Sequence, residues 1–261
     1  MSSETVRALS YRVVWEDNVD YEKAPAIHAD TDAFSLSLSG RELRAELRQP
    51  LHDIAEARRL VDEYLEAWKV LIGLQHDPDE VRFVFERAEV AAEEVDPQTG
   101  KLVRTAKVFI EASCNMSAVP SVSRGSYPAP PKAFAATPDV RVMYARYEGY
   151  RKGREPLLSM ANFCLTVLEE SAGGRTKRRE ASKKYFFDYE VLHKLGALCA
   201  RGSQKEARKA PQNLTFEPLQ PNEEKWVGRV VKEMIRRAGE VAAEPNRAHR
   251  QIRLEDLPAL G

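Results

Sequence analysis

Apolar and polar residues alternate along much of the first 114 positions of the chain. This is the period of a strand with one buried face, and it is found at residues 34–38, 42–47, 81–90 and 102–114. Ser39 and Gly40 separate the first two of these segments and predict a hairpin turn. Residues 6–17 predict a further strand.

One helix is predicted between the second and third of these segments. Its apolar positions recur at steps of three and four residues, which gives a single stripe along a helix: Ile54, Ala57, Val61, Tyr64, Leu65, Trp68 and Ile72. Asp53 is the predicted N-cap and Gly73 the predicted end. The first half therefore predicts a β-β-β-α-β-β order, an antiparallel sheet backed by one helix.

Residues 118–137 differ in composition from both flanks. They carry no periodicity and few charges, and prolines occur at Pro120, Pro128, Pro130, Pro131 and, directly afterwards, Pro138. Proline lacks the backbone donor that a central strand needs and breaks the interior of a helix. We therefore predict a proline-rich strap with Tyr127 and Phe134 as side chains to bury.

After the strap the period becomes helical. An apolar stripe starts at Val140, and residues 157–168 are apolar on nearly all sides, which is typical of the central helix of a bundle. Gly173 and Gly174 lie in the break that follows. Two further helices are predicted, at residues 189–199 before Gly202 and at residues 226–238 behind an N-cap at Asn222. Trp68 and Trp226 occupy apolar stripes and are predicted to be largely buried.

The predicted fold class is α+β: an N-terminal antiparallel β-sheet with one long helix, a proline-rich strap and a C-terminal α-helical bundle. The predicted segments are a sheet domain at 1–117, the strap at 118–137, a helical domain at 138–242 and a polar tail at 243–261.

Composition narrows the class of protein. Hydrophobic residues make up 43% of the chain and charged residues 31%, which does not fit a disordered chain. No apolar run reaches the roughly 18 residues of a membrane span, and the first residues do not open a signal peptide. Cys114, Cys164 and Cys199 are too few and too far apart for a disulfide framework or a zinc motif. We expect a cytoplasmic protein with reduced thiols and no membrane partner.

The net charge of zero hides an asymmetry. Residues 1–100 carry 11 Lys and Arg against 22 Asp and Glu, and residues 101–261 carry 29 against 18. Such a division is compatible with docking of the two halves on each other or with different partners for each half.

Sequence motifs for catalysis are missing. The chain contains no GxxxxGK[ST], GxGxxG, GxSxG or HExxH, so the catalytic residues are unknown and no cofactor is expected. Each of the five histidines lies more than four residues from any other histidine or cysteine, so no metal site is predicted. Asp77, Asp79 and Glu80 beside His76 fit either a metal or general-base cluster or an ordinary turn around Pro78.

Basic residues are dense in the second half, with 14 Lys and Arg against 7 Asp and Glu in residues 151–209. The candidate binding residues are Arg175, Lys177, Arg178, Arg179, Arg201, Lys205, Arg208 and Lys209. Tyr185, Phe186 and Phe187 lie between the two clusters, and cations with exposed aromatic rings are typical of nucleic-acid binding. The same residues also fit a solvated face above a buried aromatic triplet.

Several segments resemble a family of uncharacterised bacterial proteins over most of residues 120–242. The resemblance rests on residues 147–150, 153–160, 199–203, 207–210, 223–226 and 235–240, and it implies no known activity. The helix order is more distantly similar to the HEPN superfamily, whose nucleases place an arginine five to seven residues ahead of a histidine. No histidine of this chain has an arginine at that spacing, so the resemblance implies a binding or scaffold version without histidine-dependent RNase activity.

The leading hypothesis is a non-enzymatic binding protein whose basic half contacts nucleic acid or an acidic protein partner. One alternative is an RNase or nucleotide-processing enzyme whose site is assembled from distant segments. The other is a structural homo-oligomer in which residues 254–260 dock on a neighbouring subunit.

Overall fold

The chain folds into two compact units, Met1–Pro131 and Lys132–Gly261, of an α+β protein. The predicted fold class is confirmed. The structure, a computed structural model, describes residues 3–16, 18–95, 102–110, 122–201 and 218–260. The strap is divided between the two units, and the tail belongs to the second.

The first unit is built on an antiparallel sheet of six strands in the order β3-β4-β5-β1-β6-β7. Its strands are β1 (Ser3–Trp15), β3 (Ile27–Asp30), β4 (Phe34–Ser39), β5 (Glu42–Leu51), β6 (Val81–Val95) and β7 (Leu102–Ile110). The predicted hairpin is confirmed, and its turn uses the positive φ of 55° at Gly40. The edge strand β3 was not predicted.

Helix α1 (Ile54–Gln75) contacts β1, β5 and β6. Asp53 caps it as predicted, because its carboxylate accepts the backbone N–H of Ala55 at 2.8 Å. The helix continues two residues beyond Gly73, which corrects the predicted end. Trp68 is fully buried, as predicted, and its indole N–H donates to the carbonyl oxygen of Pro128 at 3.1 Å.

The first part of the strap packs on the sheet unit. Its strand β8 (Val122–Ser123) pairs in parallel with β2 (Val19–Asp20). Tyr127 is buried, stacks on the ring of Tyr21 at 4.8 Å and donates its hydroxyl to the carbonyl of Gly40 at 2.5 Å. The prediction that the strap buries Tyr127 is therefore confirmed.

The second unit is a bundle of five helices among the described residues. These are α2 (Pro138–Arg151), α3 (Leu157–Ser171), α4 (Arg178–Lys184), α5 (Tyr189–Cys199) and α6 (Pro221–Ala243). Helix α3 contacts each of the other four, so its predicted central place is confirmed. Within the described ranges, no helix has both the length and the apolar character to cross a bilayer.

Two local features of this unit correct the sequence analysis. Helix α4 was not predicted, although it carries part of the basic cluster. The predicted N-cap at Asn222 is wrong, because α6 begins at Pro221 and its N-cap is Gln220, two residues before Asn222. Proline favours the first helical position, where no intrahelical bond is lost.

The tail packs on its own helical unit. Ile252 donates its backbone N–H to the carbonyl of Phe186 and accepts the backbone N–H of Asp188, each at 2.8 Å. Ile252 and Leu257 are buried. Leu254–Asp256 forms a single 3₁₀ turn, and Asn222 donates a side-chain hydrogen bond to the carbonyl of Leu260. The homo-oligomer alternative assigns residues 254–260 to a neighbouring subunit, whereas Leu257 and Leu260 make these contacts within one chain.

Candidate nucleic-acid interface

The predicted basic residues occupy three places in the second unit. Arg175 and Lys177 lie in the loop before α4, Arg178 and Arg179 open that helix, and Arg201 follows α5. Lys205, Arg208 and Lys209 lie outside the described residues. Four of the five described residues are paired with a carboxylate of the same unit.

Arg178 forms part of the bundle rather than a free surface. Its Nε lies 2.8 Å from Oε1 of Glu169, which is 7% exposed and also accepts the backbone N–H of Thr176 at 3.2 Å. The guanidinium crosses α5 at Gly196, where an added Cβ would lie 2.5 Å from Nη1. Because the Glu169 carboxylate is buried, removing the Arg178 guanidinium would leave an unpaired buried charge, which is strongly destabilising.

Arg201 has a similar structural partner. Its Nη1 donates to Oε1 of Glu223 at 2.8 Å, and the other carboxylate oxygen of Glu223 accepts the backbone N–H of Gln220 at 3.0 Å. The Gln220 N–H is the main reason why the pKa of Glu223 is below its ordinary value, and Arg201 lowers it further. This ion pair fastens the residue after α5 to the first turn of α6.

The lowered pKa of Glu223 predicts a pH-dependent contribution to stability. A carboxyl group whose pKa falls on folding stabilises the fold above its unfolded pKa, near 4.5, and loses that effect as the pH falls through its folded pKa. We expect Glu223→Gln to destabilise the protein at pH 7. The difference from the unmodified protein should shrink as the pH is lowered through the acidic range.

Urea unfolding of both proteins at a series of pH values from neutral to acidic measures this difference. Glu190→Gln is the control variant, because Glu190 is an exposed carboxyl group in the first turn of another helix, α5. An unfolding difference for Glu223→Gln that stays constant across the pH range would contradict the assignment.

Arg175 and Lys177 are exposed and form weak pairs. Arg175 lies 3.0 Å from Glu170 with 79% of its side chain exposed, and Lys177 lies 3.9 Å from Glu180. Exposed pairs of this kind contribute about 0–1 kcal/mol. Both cations remain available to a partner at little cost.

Arg179 differs from the other four because its guanidinium forms no ion pair with a residue that the structure describes. It lies over the ring of Tyr189 at 5.0 Å, and the ring of His193 stacks on the same tyrosine at 5.6 Å with an interplanar angle of 28°. Lys183 lies one turn after Arg179 on α4 and is exposed, as are Arg179 and His193. We call Arg179, Lys183, Tyr189 and His193 the α4–α5 face.

The aromatic triplet does not supply exposed rings. Tyr185 is 5% exposed and Phe187 is 1% exposed, so the interpretation of these two as base-stacking groups is wrong. Phe186, in the left-handed region with φ 54°, lies 5.3 Å from the ring of His249. Phe186 and Phe187 contact the tail, and the hydroxyl of Tyr185 lies 2.6 Å from that of Ser171 on α3.

The carboxylate cluster of the first unit is a turn. Glu80 donates its N–H to the carbonyl of Asp77 at 3.1 Å, and Asp79 has a φ of 69°. Glu80 is 2% exposed and accepts bonds from Tyr21 at 2.5 Å and Arg124 at 3.1 Å. Its carboxylate thus fastens the strap to the sheet unit. Among the described residues, no three acidic, histidine or cysteine side chains are grouped as metal ligands.

The sequence analysis missed Tyr189 and His193. It used Tyr189 only as the start of a predicted helix and His193 only as one of five histidines distant from any other metal ligand. The structure leaves Tyr189 half-buried and His193 exposed. The signal was their spacing of four, which places two rings on one helical face. Arg179 and Lys183 repeat that spacing on α4.

The comparisons with known proteins give no further guide. No family model, no curated protein and no solved structure matches the chain.

Proposed function

We propose that the protein binds single-stranded nucleic acid on the α4–α5 face. The observation that carries the proposal is the stack of the exposed Arg179 guanidinium, the half-buried Tyr189 ring and the exposed His193 ring. Such a stack offers both a cation for a phosphate and flat surfaces for a base. Lys183 adds a second exposed cation one helical turn away.

The stack favours a single strand over a duplex. Bases in a duplex are already stacked on each other, whereas unpaired bases can lie on aromatic rings and on guanidinium planes. Phosphate contacts alone would hold a duplex equally well. The rings therefore determine the substrate class, and the cations supply affinity that falls with salt.

An acidic protein partner is the main competing ligand. It would pair with Arg179 and Lys183 but would gain little from the ring of Tyr189.

The test is fluorescence anisotropy of labelled single-stranded RNA and DNA with the full chain, across a range of salt concentrations. Tyr189→Leu keeps the apolar volume and removes the ring. Because stacking on a ring contributes about 1–3 kcal/mol per base, we expect a loss of affinity of about tenfold or more. Arg179→Gln should also lower the salt slope by about 0.7 for one lost contact with a single strand.

Arg175→Gln is the matched control, because Arg175 carries the same charge as Arg179 in the loop before α4 but contacts Glu170. It should change affinity much less than Tyr189→Leu. The double variant Arg208→Glu, Lys209→Glu tests whether the chain between α5 and α6 takes part. No binding by the unmodified protein at low salt, or equal effects of Tyr189→Leu and Arg175→Gln, would refute the proposal.

A further inference from the structure

A second, independent feature of the helical unit is a pocket of about 240 Å³ between the second half of α6 and the tail. Its lining includes Arg229, Glu233 and Arg237 from α6, and Arg250, Ile252, Asp256 and Leu257 from the tail.

Arg237 is the buried cation of this pocket. It is 9% exposed, its Nη1 donates to the carbonyl of Arg250 at 2.9 Å, and its Nε lies 3.1 Å from Glu240. Burial lowers the pKa of Arg237 more than the carboxylates of Glu240 and Glu233 raise it. A guanidinium stays charged at any pH of interest, so a buried positive charge lies at this pocket with the Arg250 carbonyl and the Glu240 carboxylate as its neighbours.

The carboxylates of the pocket are already engaged. Glu233 lies 2.8 Å from Arg229 and 2.9 Å from Arg236. Asp256 accepts hydrogen bonds from the Arg250 side chain and from the backbone N–H of Arg253. Three arginines and two carboxylates line the pocket, so the lining carries one positive charge in excess. Glu240, which pairs with Arg237, is not part of the lining.

Two aliphatic side chains, Ile252 and Leu257, complete the lining of the pocket. Ile252 and Leu257 are each 8% exposed, and they come from the tail rather than from the helix. A volume of about 240 Å³ is smaller than the roughly 300–1,000 Å³ of pockets for drug-sized molecules. It suits an anionic group carrying a short carbon portion, with the arginines on the anion and the two aliphatic side chains on the carbon.

We propose that this pocket binds a small ligand through an oxyanion group, a phosphate ester or a carboxylate, held by Arg229, Arg237 and Arg250. The planar guanidinium matches both oxyanions through paired N–H groups. Because Arg250, Ile252 and Leu257 belong to the tail, the bound ligand would also hold the tail on α6. Binding to the folded state alone raises thermal stability with ligand concentration.

Isothermal titration calorimetry and thermal melts of the full chain test the proposal, with inorganic phosphate, glycerol phosphate, acetate and butyrate as probes. Sodium chloride at equal ionic strength corrects for general screening. We expect saturable binding and a rising melting temperature with at least one probe. Preference for the phosphates or for the carboxylates identifies which oxyanion the pocket takes.

Arg229→Gln and Arg237→Gln should each weaken binding by about tenfold, because each removes a charge-assisted hydrogen bond to the anion. Arg236→Gln is the matched control, since Arg236 also pairs with Glu233 but does not line the pocket. Because the Arg229 side chain is 47% exposed, Arg229→Gln should fold, and it tests the binding proposal even if Arg237→Gln does not fold.

The absence of saturable binding by every probe would overturn the proposal, and so would equal losses from Arg229→Gln and Arg236→Gln. The nucleic-acid proposal would be unaffected by either result, since Tyr189 and Arg179 do not line this pocket.

Discussion

Replacing Trp226 or Trp68 by alanine is expected to lower the free energy of unfolding by about 3–5 kcal/mol. Trp226 is 1% exposed on α6 and Trp68 is 0% exposed on α1. Each substitution removes a large buried ring and leaves a cavity that the surrounding helices and strands fill only in part. Urea unfolding followed by circular dichroism measures the change.

Trp68→Phe separates packing from hydrogen bonding at the first of these positions. Phenylalanine keeps much of the ring contact, including that with Phe83 at 5.2 Å, but leaves the carbonyl of Pro128 without the indole donor. We expect Trp68→Phe to be clearly milder than Trp68→Ala. A loss below about 1 kcal/mol for either alanine variant would contradict the burial of that stripe.

Arg178→Ala is expected to destabilise the protein by about 3 kcal/mol, whereas Arg175→Ala should change stability by less than about 0.5 kcal/mol. The first substitution leaves the buried Glu169 carboxylate without its cation. The second breaks a pair in which both side chains are more than half exposed. Thermal and urea unfolding of the two variants give the comparison.

The two arginines lie three residues apart in the same basic run. Comparing their variants therefore separates the structural role of Arg178 from the surface role of Arg175. The double variant Arg178→Ala, Glu169→Gln should recover part of the loss, since it removes the unpaired charge. Equal stabilities of Arg178→Ala and Arg175→Ala would show that the Glu169 pair does not hold the bundle together.

Elements with a strong local period could be predicted from the sequence. Strands β4 and β5 follow strict alternation around Gly40, and α1 follows a stripe behind Asp53. Strand β3 and helix α4 lack such a period. The first is a four-residue edge strand, and the second is a seven-residue helix in a run of charges. Tertiary contacts rather than local pattern stabilise elements this short.

The candidate interface was only partly predictable. Charge density pointed to the right region, but it could not separate Arg178 and Arg201 from Arg179. The partners that distinguish them, Glu169 and Glu223, lie 9 and 22 residues away and meet them only through helix packing. The aromatic triplet misled for the same reason, since burial of Tyr185 and Phe187 depends on where the bundle and the tail close over them.

The order of the sheet has a consequence for how the chain acquires its structure during synthesis. Strand β1 is translated first, yet it lies between β5 and β6, and Val6 pairs with both Leu51 and Val90. The β4–β5 hairpin can close as soon as its own residues emerge and can then pair with β1, whereas the other edge of β1 stays open until β6 follows. Pairing between such distant segments slows folding and leaves strand edges exposed. The interval before β6 emerges is therefore when this unit depends most on protection from aggregation.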